Sequence, residues 1–189
     1  MSMKIVTPLS PIHVVDGAPF ASFTTFQDIS PSPQLIIPQQ WMEVGLDIDI
    51  EAWGEFSNTG TPTLALGFWF NGAAGAAPTS ILAQNALTTT VTGATAWPWR
   101  ARYTGTLRAV ASGASGGSWN GQGEVMVGGS LTAWATGFPA PIPTTAAART
   151  VACDVTAARA IGVGAAWGTS NASNTIKVNG LRCKINTGP

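Results

Sequence analysis

Five carboxylates fall at odd positions in EVGLDIDIEAWGEF, residues 43–56: Glu43, Asp47, Asp49, Glu51 and Glu55. Val44, Leu46, Ile48 and Ile50 take the even positions between them. A strand repeats every two residues, so the segment predicts a β-strand with one core face and one acidic face. Such a row could do one of two things. It could hold a hard cation such as calcium, which takes oxygen ligands. Calcium ligands, however, converge from a turn, whereas a strand spaces same-face residues at about 6.8 Å. Alternatively, it could be neutralised by cations on a neighbouring strand or subunit. Arg100, Arg102 and Arg108 share one face of a second predicted strand and supply that partner. Ion pairing is the favoured expectation, with no metal site and no cofactor.

Catalysis has little to build on. His13 is the single histidine. A Ser–His–Asp or Cys–His arrangement would have to use it, and no nucleophile elbow of the G-x-S-x-G kind is expected. The acidic residues concentrate on one strand, whereas a glycosidase needs two carboxyls across a gap. No phosphate-cradling glycine loop of the G-x-x-x-x-G-K-[ST] kind is present. The chain is expected not to be an enzyme and to have no catalytic residues. Cys153 and Cys183 are too few for a zinc site, and each lies on an apolar strand face. Two buried free thiols are expected rather than a disulfide. Eight tryptophans stand at 41, 53, 69, 97, 99, 119, 134 and 167. Trp53 and Trp69 fall opposite the main apolar residues of their strands and are expected at an exposed or inter-subunit surface. A sugar-stacking platform is the competing use, and core or interface filling the favoured one.

The elements that position these residues follow from composition and punctuation. A chain of 189 residues is long enough for one domain with a real core. Charged residues make up 10% and balance to zero net charge. That balance argues against nucleic acid or an anionic membrane as partner and favours self-association. Residues 1–19 carry Pro8, Pro11 and Pro19 without periodicity and read as an extended N-terminal arm. This N-terminus lacks the continuous apolar core of a signal peptide, so a cytosolic origin is expected. No stretch approaches the roughly 18 apolar residues of a membrane span.

Residues 20–189 read as a single β-sandwich domain. Strands are expected at 20–29, 43–56, 61–71, 80–92, 97–111, 119–128, 149–155, 159–168 and 174–186, with Leu35–Ile37 extended. The turn Ser57-Asn58-Thr59-Gly60 is expected to join 43–56 and 61–71 as a hairpin. The bare face of 159–168, with Gly162, Gly164 and Ala166, is expected to pack closely on another chain or sheet. The Pro-rich FPAPIP at 138–143 reads as part of a long exposed edge loop. The fold class is all-β, a jelly-roll-like β-sandwich with an extended N-terminal arm.

Three segments carry a family likeness: LDIDIEAWGEFSNTGTPTLALGFWFNG, WPWRARYTGTLRAVASGASGGSWNGQGEV and ARAIGVGAAWGTSNASNTIKVNGLRCKIN. Together they span about residues 41–186 and resemble tailed-bacteriophage virion proteins of the jelly-roll type. The resemblance implies a sandwich that forms small symmetric homo-oligomers, often trimers, on the outside of a head or tail. It implies a capsid decoration or cementing protein whose partners are the major capsid protein or other virion proteins, with no nucleic acid and no membrane. Its place would be the virion, assembled in the bacterial host cytoplasm. The alternative is a tail-associated receptor- or carbohydrate-binding module that uses exposed tryptophans.

Overall fold

The structure is a computed structural model that describes residues 17–71, 80–89, 92–113, 115–130, 133 and 139–186. Its strands are β1 (Phe20–Ala21), β2 (Gln27–Asp28), β3 (Leu35–Ile37), β4 (Asp47–Ser57), β5 (Thr63–Asn71), β6 (Ser80–Thr88), β7 (Trp97–Ala109), β8 (Gly117–Val127), β9 (Ala140–Ile142), β10 (Thr150–Cys153), β11 (Arg159–Trp167) and β12 (Thr175–Asn186). Two short 3-10 turns, Gln39–Trp41 and Ala147–Arg149, are the helical content among the described residues. One sheet runs β1-β12-β4-β7-β8-β10, with β9 also on β8; the other runs β2-β11-β5-β6, with β3 also on β11. The strand pairs are antiparallel. The fold is the all-β sandwich expected, and its last two long strands, β11 and β12, fold back beside β5 and β4.

The period-two pattern explains the layers. Ile48, Ile50, Ala52 and Phe56 of β4 are buried, as are Ala101, Tyr103 and Leu107 of β7. They meet Leu64, Leu66, Phe68 and Phe70 of β5 and Val163 of β11 in one core. Rings interlock between the sheets, Phe68 with Tyr103 at 6.1 Å and Phe70 with Trp119 at 5.5 Å between centroids. ILAQNAL, residues 81–87, lies inside strand β6.

Several expectations are corrected. β4 and β5 are not a hairpin: β4 pairs with β7 and β12, and β5 with β6 and β11. Two strands with a common core face satisfy the alternation equally well side by side or across the core. Residues 20–29 are not one strand. They give β1 to the first sheet and β2 to the second, crossing through Ser22 at φ 61 and the buried Phe23. Val44 is 61% exposed rather than in the core. A turn at 43–46, closed by Leu46 N–H to the Glu43 carbonyl at 3.0 Å, takes Val44 and Glu43 out of the strand.

The bare face of β11 packs on its own chain. A Cβ at Gly162 would meet Ser30 Oγ at 2.1 Å and Trp69 Cζ2 at 2.7 Å, and one at Gly164 would meet Phe26 Cε1 at 2.3 Å. Residues within FPAPIP form β9 on the edge of β8, with Ile142 and Pro143 buried. The Pro141 carbonyl accepts from Asn85 Nδ2 at 2.9 Å, which ties β9 to β6 and closes that flank of the sandwich. Most of the predicted arm, residues 1–16, lies outside the described residues. The Gly17 N–H donates to the Val178 carbonyl at 2.8 Å and β1 pairs with β12, so residues 17–21 edge the first sheet.

Candidate functional site: the charged face of the first sheet

The odd positions of β4 point away from the core, and the ladder sets cross-strand rows on that outer face. Arg182, Glu51, Arg102 and Glu124 lie in one row, contributed by β12, β4, β7 and β8. Lys184, Asp49, Thr104 and Gln122 form the next. On the other side of the Glu51 row stand Gly180, Trp53, Arg100 and Met126. Opposite charges directly across a strand pair attract, and alternation of sign along the first row sets that pattern up.

Glu51 is the hub. It is only 7% exposed although it sits on the outer face. Arg100 binds it through Nε and Nη2, Arg182 binds it through Nη2, and Arg102 Nε stands at 3.5 Å. Three guanidiniums around one carboxylate cover it and hold one another in place. Glu55 pairs with Lys177 at 3.0 Å. Asp49 accepts from Thr104 Oγ1 at 2.7 Å, and Asp47 accepts from Thr106 Oγ1.

The expected pairing of the acidic row with arginines therefore holds for Glu51 with Arg100 and Arg102. It does not extend to Arg108, which lies where the β7–β8 register shifts, between Leu107 and Ala109. Glu43 is outside the row altogether. Lys177 and Arg182 of β12 were not anticipated as partners. Their signal was the alternation in IKVNGLRCKIN, but only the topology shows that β12 adjoins β4. Among the described residues no group of three or more histidine, cysteine or acidic side chains is gathered as a metal centre.

Trp53 and Trp69 part company. Trp53 is 36% exposed and stands on the charged face. Trp69 is fully buried; its indole N–H donates to the Val163 carbonyl at 3.1 Å, and the ring lies against Gly162. The glycine opposite it in the ladder makes the room that buries it.

Cys153 and Cys183 are buried free thiols. Burial and the nearby Asp154 push Cys153 up to about 11, and burial and Asp49 push Cys183 up to about 12. Neither is poised as a nucleophile. His13 lies outside the described residues. Gly113-Ala114-Ser115-Gly116-Gly117 fits the letters of G-x-S-x-G, yet it connects the antiparallel strands β7 and β8. No helix follows it, so it is not a nucleophile elbow.

Two shallow grooves flank Arg102. One, of about 420 Å³, is lined by Asp49, Glu51, Arg102, Thr104, Arg182 and Lys184. The other, of about 480 Å³, runs from Arg102 and Thr104 over Gln122 and Glu124 to Pro141, Pro143 and Arg149. No helix among the described residues is long and apolar enough to cross a membrane. In comparison with known proteins, no family model matches the chain and no curated protein matches it.

Proposed function

We propose that this chain is a virion structural protein of a tailed bacteriophage. In this reading it is a capsid decoration or cementing protein, bound as a homo-oligomer, a trimer, to the outside of the head. It works by binding and not by catalysis, and its place is the virion assembled in the host cytoplasm. The supporting observation is the charge asymmetry of the sandwich. Ten of the eighteen charged residues stand on the outer face of the first sheet, on β4, β7, β8 and β12. The outer positions of β5 and β6 are instead Thr63, Ala65, Gly67 and Trp69 opposite Thr88, Ala86, Gln84 and Ile81, without a charge. Subunit contacts are depleted in charge at their centres, so the exposed part of this face, at Thr63, Gln84, Ala86 and Thr88, is the one offered to another copy. The three segments that resemble phage virion proteins lie mainly on β4, β5, β7, β8, β11 and β12, the frame of both sheets.

A protein that binds an assembled lattice and not its loose parts stabilises that lattice by mass action. Light scattering on the purified chain should give about three times 19.4 kDa, as a closed cyclic oligomer requires. Ala86→Arg should dissociate it. A monodisperse monomer at micromolar concentration overturns the oligomer. Cryo-microscopy of the source particle tests the rest: density on the head supports decoration, and density on the tail means the receptor- or carbohydrate-binding alternative.

A further inference from the structure

β12 carries a bulge that β4 does not share. Val178 faces Gly54 and Gly180 faces Trp53, so Asn179 is left over between two paired residues. A bulged residue has no place in the ladder, and the peptide groups around it turn out of register. The Lys177 carbonyl takes a side-chain donor there, the Trp99 indole Nε1 at 3.1 Å. Asn179 Oδ1 is buried, and among the described residues no hydrogen bond holds it.

The residue after the bulge has to be glycine. A Cβ at Gly180 would fall 2.1 Å from Trp53 Cζ2 and 2.3 Å from Cε2. The Trp53 ring takes the space that a side chain at 180 would need. Packing thus fixes the dipeptide Asn179-Gly180, with an unheld asparagine amide before a main-chain nitrogen that no Cβ shields.

The chain supplies its own control. Asn120-Gly121 is the same dipeptide in the regular part of β8. Asn120 faces Thr106 of β7 and Thr150 of β10, and Gly121 faces Gly105. Asn120 Nδ2 donates to Thr150 Oγ1 at 3.0 Å, which ties the side chain to the neighbouring strand. The remaining Asn-Gly step, Asn71-Gly72, runs off the end of β5 out of the described residues.

We propose that Asn179-Gly180 is a site of spontaneous covalent modification. The Gly180 main-chain nitrogen attacks Asn179 Cγ, the Cγ–Nδ2 bond breaks, and the Gly180 amide proton leaves with that nitrogen as ammonia. The product is a five-membered succinimide. Water then opens the ring at either carbonyl, to aspartate or to isoaspartate. Isoaspartate routes the main chain through the former side chain and lengthens it by one methylene. The lengthened step lies between Val178, whose carbonyl accepts the Gly17 N–H at 2.8 Å, and Gly180, against which Trp53 packs. Modification therefore loosens the hold of β12 on residues 17–21. The chemistry is internal to one chain and depends on neither the virion reading nor the oligomer.

The test is ageing of the folded full chain at mildly alkaline pH, followed by tryptic mapping and mass spectrometry. Cleavage after Lys177 and Arg182 isolates Asn179 in the peptide 178–182. Conversion of Asn179 at least tenfold faster than Asn120 is expected, with isoaspartate detected by enzymatic methylation. In denaturant, which removes the bulge and the ladder alike, the two rates should converge. Asn179→Gln, which lacks the five-membered route, should stay unmodified in that peptide. Hydrogen exchange at the Gly17 amide should quicken in the aged wild type and not in the aged variant. An Asn179 that converts no faster than Asn120 in the folded chain overturns the inference, as does a contrast that persists in denaturant. A Gly17 amide equally protected before and after conversion overturns the loosening.

Discussion

Asn58 Nδ2 donates to Thr89 Oγ1 at 2.8 Å, and both residues are buried. This bond joins the β4–β5 connection to the segment after β6. Asn58 Oδ1 also accepts from the Ala94 N–H at 2.8 Å, and the Thr89 hydroxyl donates to the Pro62 carbonyl at 2.7 Å. Nearby, the Thr59 N–H donates to Oδ1 of the buried Asn174 at 3.0 Å, bringing in the turn before β12. Three connections that cross between the sheets are tied together at one end of the sandwich. Buried polar groups cost little when fully paired and a great deal when orphaned.

Asn58→Ala should therefore destabilise the fold by about 2–3 kcal/mol, since it strands the Ala94 N–H away from water and takes away the donor to the Thr89 hydroxyl. Thr59→Ala, which keeps the backbone donor to Asn174, should stay within about 0.5 kcal/mol. Denaturant unfolding of the two variants measures the contrast, and equal effects would remove the knot from the account.

Removing Glu51 leaves Arg100, Arg102 and Arg182 facing one another without their shared anion. Glu51→Gln should cost about 1–2 kcal/mol at low ionic strength and visibly less in molar salt, which screens the remaining repulsion. Arg102→Ala, with its longer contact and half-exposed side chain, should cost no more than about 0.2–1 kcal/mol. Thermal unfolding across a salt series reads both, and a Glu51→Gln variant indifferent to salt would contradict the hub.

The thiols report on alkaline stability. Cys153 and Cys183 hold their protons up to about 11 and about 12, whereas an unfolded thiol titrates near 9. Above pH 9 the unfolded chain sheds protons that the folded one keeps, so stability falls as pH rises through that window. Below it this contribution is fully present. Replacing both cysteines by alanine should flatten this alkaline limb, though at some cost in packing. A thiol reagent such as dithionitrobenzoate at pH 8 should label neither cysteine until denaturant is added.

At the acid end the relevant pair is Asp154 with Arg159. The Arg159 guanidinium, helped by the hydroxyl and N–H of Thr156, holds the Asp154 carboxyl well below the usual carboxylate range. A depressed carboxylate contributes stability that is present above its unfolded pKa near 3.8 and is lost as pH falls through the folded value. Asp154→Asn should lower stability at neutral pH and make it less sensitive to acid below about pH 4. A variant whose acid limb matches the wild type would show that the pair contributes nothing.

The alternation in DIDIEAWGEF was enough to determine a strand, its core face and its acidic face, because side-chain direction in a strand depends on parity alone. Composition and turn residues likewise pointed to an all-β chain, and the apolar strand faces around Cys153 and Cys183 favoured two buried free thiols. What parity cannot carry is which strands are neighbours. LALGFWF presents the same core face whether it pairs with β4 or lies across from it, and the buried Asn58 that turns the chain across the core reads in sequence like any loop asparagine. Trp53 and Trp69 were both expected at an exposed or inter-subunit surface, and the structure overturns this for Trp69 for the same reason. Both oppose the apolar face of their strands and both meet a glycine in the ladder, at Gly180 and Gly162. Trp69 is covered because Ser30 and its neighbours return over β11, while Trp53 stays half open on the outer face. Tertiary structure alone decides this, since cover comes from residues far away in the chain. The same holds for Arg182, which meets Glu51 only because β12 closes the first sheet beside β4.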